Sequence, residues 1–81
     1  MSKRVRVQYF ALLREQRGLA QESLVTEAAT AGDLYEELRA RHGFTLPSEQ
    51  LRAAVNDEFA PWTAPLSEGD VLVFLPPVAG G

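Results

Sequence analysis

The chain has 81 residues, 46% of them hydrophobic and 23% charged, which is enough for one small domain with one core. A formal net charge of −3 argues against a nucleic-acid binder, and the absence of cysteine excludes a disulfide framework, a thiolate nucleophile and a cysteine-ligated metal. At this size only about 60–65% of the unfolded surface can be buried, so a deep enclosed active site beside the core is not expected. No apolar run approaches the roughly 18 residues of a membrane span. Met1-Ser-Lys-Arg4 leads into a strand pattern rather than a signal-peptide core, so cytoplasmic residence without a membrane partner is the expectation.

Val5, Val7 and Tyr9 alternate with Arg4, Arg6 and Gln8, the period of a half-buried strand, and Phe10 and Ala11 extend it. Lys3, Arg4 and Arg6 read as its solvated face. Leu12 to Arg17 reads as a short helical turn ended by Gly18. Glu22 to Glu27, with Leu24, Val25 and Thr26, is a second strand, and the order suits a hairpin. The clearest helix starts at Thr30, an N-cap with Asp33 three residues on. Ala31, Leu34, Leu38 and Tyr35 supply its apolar stripe, Glu37 and Arg41 pair across one turn, and Gly43 stops it.

Phe44 to Gln50 is a loop around Pro47, Leu51 to Val55 a short strand, Asn56-Asp57 a turn, and Phe59 resumes pairing. Trp62 anchors a segment punctuated by Pro61, Pro65 and Gly69. His42, the sole histidine, lies in the last helical turn, where a partly charged imidazole suits the helix dipole. With no cysteine and no clustered carboxylates, no metal site is expected. Asp57 and Glu58 read as a solvated pair, the serines lack a nucleophile context, and no phosphate-binding glycine motif occurs. Independent catalysis is not expected. The pattern gives an α+β domain with one helix packed on one sheet face and several topologies open.

The closing stretch, Val71-Leu-Val-Phe-Leu-Pro-Pro-Val-Ala-Gly-Gly81, organises the rest. Val71 to Leu75 is a strand, and Pro76 and Pro77, which lack a backbone N–H, stop it and keep the chain extended. Two glycines without Cβ atoms can thread a narrow channel and present a main-chain carboxylate to another protein. Residues 76–81 are thus expected to project as a tail from a single domain spanning residues 1–81. On the strand, Leu72 and Phe74 point one way, and Val71, Val73 and Leu75 the other. Leu72 and Phe74 are assigned to the core, and Leu75 with Phe59 to a partner surface. The alternative is that loops containing Phe44 or Trp62 cover the second face.

Phe74-Leu-Pro-Pro-Val-Ala-Gly-Gly81, Pro65-Leu-Ser-Glu-Gly-Asp70 and Phe10-Ala-Leu-Leu-Arg-Glu15 with Gly18 together resemble the small subunits of molybdopterin synthase, which are ubiquitin-like sulfur carriers. The resemblance covers nearly the whole chain and implies a β-grasp fold with a mixed sheet. It implies that an ATP-dependent enzyme adenylates the Gly81 carboxylate, and that a sulfur donor converts it to a thiocarboxylate. The carrier itself binds no cofactor. Pro76, Pro77, Val78, Ala79 and Gly80 would thread the active site of a large subunit in a complex of two large and two small chains. There the sulfur passes to cyclic pyranopterin monophosphate, two transfers forming the molybdopterin dithiolene, with catalytic side chains on the large subunit. Arg14 matches the arginine of the family's Leu-Arg-Glu segment and is a candidate partner contact. Carriers of thiamine or cysteine biosynthesis, ubiquitin-like protein modifiers and non-covalent β-grasp modules share parts of this pattern and remain alternatives.

Overall fold

A computed structural model describes residues 2–76. Pro77, Val78, Ala79, Gly80 and Gly81, the greater part of the expected tail, lie outside the described residues.

Among the described residues five strands and two α-helices follow one another: β1 (Lys3–Tyr9), α1 (Ala11–Arg17), β2 (Gln21–Thr26), α2 (Ala31–His42), β3 (Arg52–Val55), β4 (Glu58–Ala60) and β5 (Val71–Leu75). The sheet order is β2-β1-β5-β3-β4. β1 and β5 run parallel at its centre, and every other pairing is antiparallel. A hairpin, a crossing helix and a last strand inserted beside the first make the β-grasp, or ubiquitin-like, arrangement.

The strands obey their two-residue period. Val5, Val7, Tyr9, Leu72 and Phe74 are buried on one face. Against them α2 lays Ala31, Leu34, Tyr35 and Leu38, all fully buried, as its stripe predicts. Tyr35 is the aromatic centre, with Phe74 edge-on at 5.1 Å and Phe44 and Trp62 at 6.1 and 5.7 Å. Its buried hydroxyl donates to the Leu46 carbonyl, which satisfies a group that would otherwise be costly to enclose. Thr30 caps α2 by accepting from the Asp33 amide at 3.1 Å. Gly43 ends the helix at φ 71°, a left-handed conformation in which a Cβ is disfavoured. At Gly32 the reason for glycine is space: its amide donates to the Trp62 carbonyl at 2.9 Å, and a Cβ would come within 3.1 Å of that oxygen.

Several expectations are corrected. β1 stops at Tyr9 rather than running on through Phe10 and Ala11. Ala11 takes φ 52°, which turns the chain out of the sheet and into α1, and Phe10 becomes the residue before the helix. β2 lies one residue earlier than expected, at Gln21–Thr26. The stretch before β3 contains a 3-10 turn at Ser48–Gln50, which Leu51 closes by donating to the Ser48 carbonyl, so the strand begins at Arg52. His42 ends α2 as expected but packs on Phe44 at 5.7 Å. Burial, with the charges of Arg17 and Arg41, lowers its pKa against the pull of Glu22, so the neutral imidazole is favoured over the partly charged one.

A polar lock ties α1 to the hairpin. The Arg17 guanidinium donates through Nε and Nη2 to the two Glu22 oxygens at 2.8 Å each, and the Tyr9 hydroxyl donates to Glu22 Oε2 at 2.7 Å. The Arg17 hydrogen bonds lead, and the Glu22 pKa falls from 4.5 to about 2. The folded pKa lies below the unfolded one, so the lock contributes full stability above about pH 4.5 and loses it as pH falls toward about 2. Urea midpoints measured between pH 6 and pH 2 should fall less steeply for Glu22→Gln than for the natural chain across that window. Parallel curves would show that the lock holds no stability.

Candidate functional site

The face of the sheet away from α2 is where the chain leaves an apolar surface uncovered. Phe44 and Trp62, the residues offered as possible covers, both pack on the core side: Trp62 lies 5.9 Å from Phe74 and Phe44 lies 5.7 Å from Tyr9. Val71, Val73 and Leu75 therefore point outward on β5, half-buried by their neighbours in the sheet alone.

Register then builds a hollow of about 300 Å³ on this face. Val73 of β5 lies opposite Gln8 of β1 on one side and Ala54 of β3 on the other, and Ala54 is itself opposite Phe59 of β4. These four residues form the floor and one wall, with Phe10, Leu75 and the turn residue Asp57 completing the lining. Ala54 is buried yet stands outside the core cluster, because what hides it are its outer-face neighbours. Phe59 is 64% exposed and Phe10 46%, so two aromatic rings stand open to solvent on one sheet face. The Arg52 guanidinium lies 4.4 Å from the Phe59 ring centroid, a cation–π contact at the edge of the hollow. The Asn56-Asp57 turn that sets β4 beside β3 has both residues at positive φ, 52° and 71°. It is tied to β5 by Asn56, which accepts from the Val71 amide and donates to Asp70, each at 3.0 Å.

The predicted partner residues separate into two groups. Phe59 and Leu75 meet in one hollow, as their pattern suggested. Arg14 stands exposed on α1, where its carbonyl accepts the Gly18 cap, and does not line that hollow. Pro76, half-buried, follows the last strand residue directly, so the hollow and the start of the tail share β5. Phe10 was not singled out from sequence as a site residue, although two-residue alternation from Gln8 puts it on the outer face. Arg52 and Ala54 were also missed, since only the β3–β4 register sets Ala54 opposite Phe59, and only the β3–β5 register sets Arg52 opposite Leu75, from where its side chain reaches the Phe59 ring.

The lining is an open, largely apolar hollow edged by one cation and one carboxylate. Among the described residues no group of three His, Cys, Asp or Glu side chains could hold a metal ion. His42, the only histidine, packs against Phe44 on the core side and does not line the hollow. Fold and site together define a β-grasp domain that offers an open apolar face at the root of its C-terminal segment.

Comparison with known proteins agrees. The profile of the ThiS family matches residues 7–81, and the chain belongs to that family. It is 32% identical over 80 residues to the molybdopterin synthase sulfur carrier subunit of Escherichia coli K12, covering 95% of this chain and 99% of that one. Among solved structures it is similar to the modifier SAMP1 of Haloferax volcanii, at 27% identity and TM-score 0.75 over 96% of this chain and 99% of that one. It is also similar to a chain in the complex of subunits 1 and 2 of molybdopterin-converting factor from Helicobacter pylori, at 29% identity and TM-score 0.64, with the same coverage.

Because Phe59 is exposed and Leu72 is fully buried, their substitutions should separate stability from surface function. Phe59→Ser should cost at most about 1 kcal/mol, the scale of an exposed cation–π contact. Leu72→Ala should cost about 2–5 kcal/mol. Urea unfolding checks both; a large loss for Phe59→Ser would mean that the ring is structural.

Proposed function

We propose that this protein is a sulfur carrier acting as the small subunit of a molybdopterin synthase, with its outer sheet face as the docking surface and Gly81 as the reactive terminus. The observation that supports it best is that Leu75 belongs to both parts. It lines the hollow with Phe59 and Phe10, and it is the last strand residue before Pro76, where the expected tail starts. A partner that covers the hollow receives the tail at a fixed position and direction. Membership of the ThiS family and the likeness to a molybdopterin synthase carrier over nearly the whole chain give that tail its chemistry.

In this reading an activating enzyme uses ATP to adenylate the Gly81 carboxylate, releasing pyrophosphate and leaving an acyl-adenylate with a good leaving group. Sulfur at the sulfide level, or a persulfide whose acyl disulfide a thiol then reduces, attacks the acyl carbon, AMP leaves, and the terminus becomes a thiocarboxylate. Pro76 and Pro77 stiffen the base of the tail, while Val78, Ala79 and Gly80 carry the terminus into the large subunit. The thiocarboxylate sulfur attacks cyclic pyranopterin monophosphate there and displaces an oxygen, water then cleaves the C–S bond to Gly81 and returns its carboxylate, and two such transfers complete the dithiolene. The carrier holds no cofactor, and the catalytic side chains belong to the large subunit. What the described residues contribute to this division is the open apolar hollow at the root of the tail. A complex of two large and two small chains follows from the family pattern, and the subunit complex of the Helicobacter pylori relative supports a two-component assembly. No described helix is long and apolar enough to cross a membrane, and we place the reaction in the cytoplasm.

A second reading, conjugation of Gly81 to lysines of target proteins, is favoured by the likeness to SAMP1 and uses the same activated carboxylate. Carriers for thiamine or cysteine biosynthesis differ in the acceptor alone. Intact-protein mass spectrometry after incubation with ATP, an activating enzyme and a sulfur donor should show one oxygen of Gly81 replaced by sulfur. Removing Gly80 and Gly81 should abolish that change without moving the urea midpoint. No sulfur on the chain with several competent activating enzymes, or lysine adducts alone, would overturn the carrier reading.

A further inference from the structure

The outer face has an electrostatic character that the whole chain does not share. The protein has 8 basic and 11 acidic residues. Register places Arg4 and Arg6 of β1 and Arg52 of β3 on the outer face, opposite Val25, Val71 and Leu75 respectively. The two carboxylates within the strands, Glu22 and Glu58, have the opposite parity: they lie across from Val7 and Val55, which face the core. The strand positions of the outer face therefore carry three arginines and no acid, while Glu68, on the loop before β5, accepts from the Arg4 amide at 2.9 Å and lies beside Arg4 and Val25, at the opposite end of β5 from Arg52. The ion pairs among the described residues engage Arg17, Arg39 and Arg41 and none of these three.

Arg52 is the arginine closest to the function. It is paired with Leu75 at the end of β5 and lies over the Phe59 ring, between two residues that line the hollow. A partner that covers Phe59 and Leu75 also covers this guanidinium and strips water from it. Burying an unpaired cation costs more than the apolar contact around it returns, so such a partner must bring an anion. The guanidinium carbon sits 4.4 Å from the ring centroid, and a planar guanidinium on an aromatic face can still offer N–H groups to a carboxylate. Asp57 lines the hollow at the turn and limits how far an acidic partner surface can extend in that direction.

We propose that the outer face docks on an acidic patch of the partner protein, and that Arg52, seated on Phe59 at the root of the tail, is the specificity-determining contact. This rests on the docking face assigned above. It adds the chemistry of the opposing surface: an apolar centre flanked by Asp or Glu side chains, one of them facing Arg52. Partners whose matching surface is neutral or basic are rejected by the uncompensated guanidinium, however well they fit the rings.

The test is titration calorimetry of the full-length chain with the molybdopterin synthase large subunit of the same organism. Arg52→Glu should weaken binding about tenfold or more at about 50 mM salt, and Arg52→Leu, which keeps the apolar area, by a smaller factor of about three. At about 500 mM salt the gap between Arg52→Glu and the natural chain should narrow severalfold, because exposed charges are screened. Arg41→Glu, the same charge change on α2, should stay within about twofold at both salts. Equal effects of Arg52→Glu and Arg41→Glu would overturn the proposal. So would a loss for Arg52→Glu that high salt leaves unchanged, since that would mark lost packing. Phe59→Ser separates the two levels. If it binds like the natural chain, the docking face itself is wrong and this inference falls with it. If it loses binding while Arg52→Glu does not, the face stands and only the acidic-partner inference is lost.

Discussion

The sheet has two apolar faces along its central strand, and both the α2 stripe and Leu13 of α1 pack into the core on the same one. β5 lies between β1 and β3, with Leu72 and Phe74 sealed beneath α2 and Val73 and Leu75 facing the other way. A chain of 81 residues cannot build a second covering layer. Its large spare side chains, Phe44 and Trp62, are drawn to the core side by Tyr9, Tyr35 and Phe74. The uncovered face is therefore a consequence of the packing. The site uses what the core could not bury.

The same strand connects surface to chemistry. β5 is anchored by hydrogen bonds on both sides, and the Asn56 and Asp70 side chains fix its entry. Its exit is the start of the tail. In the proposed function this gives the tail a defined starting point beside the surface that a partner would cover. The hollow beside that exit is mainly apolar, with Phe10, Phe59, Val73 and Leu75, and Asp57 is the one carboxylate in its lining. The charged and hydrogen-bonded Arg17–Glu22–Tyr9 lock, by contrast, has its role in holding α1 to the hairpin.

Much of this was legible in the sequence, for local reasons. Alternation separated Leu72 and Phe74 from Leu75, the Thr30 hydroxyl and Gly43 marked both ends of α2, and the Asn56-Asp57 turn was readable from its residue types. Beyond local pattern the sequence fell short in specific ways. Phe10 looked like a continuation of β1 because an apolar residue after a strand carries no sign that Ala11 adopts a positive φ. Arg52 and Ala54 gave no signal, since their roles come from lying across from Leu75, Val73 and Phe59, and cross-strand register is not written in any one segment. The parallel pairing of β1 with β5 was likewise beyond periodicity and came through the family resemblance. Arg14, chosen by that resemblance, stands on α1 away from the hollow lining.

The central claim is that the outer sheet face, and not the helix face, meets the partner. Amide chemical-shift mapping of the isotope-labelled chain during titration with the large subunit tests it most directly. The largest changes should cluster at Gln8, Phe10, Arg52, Ala54, Phe59, Val73 and Leu75 and continue into the tail, while α2 from Ala31 to His42 stays quiet. Changes centred on the solvent side of α2, around Asp33, Glu36 and Ala40, with the hollow unaffected, would contradict it.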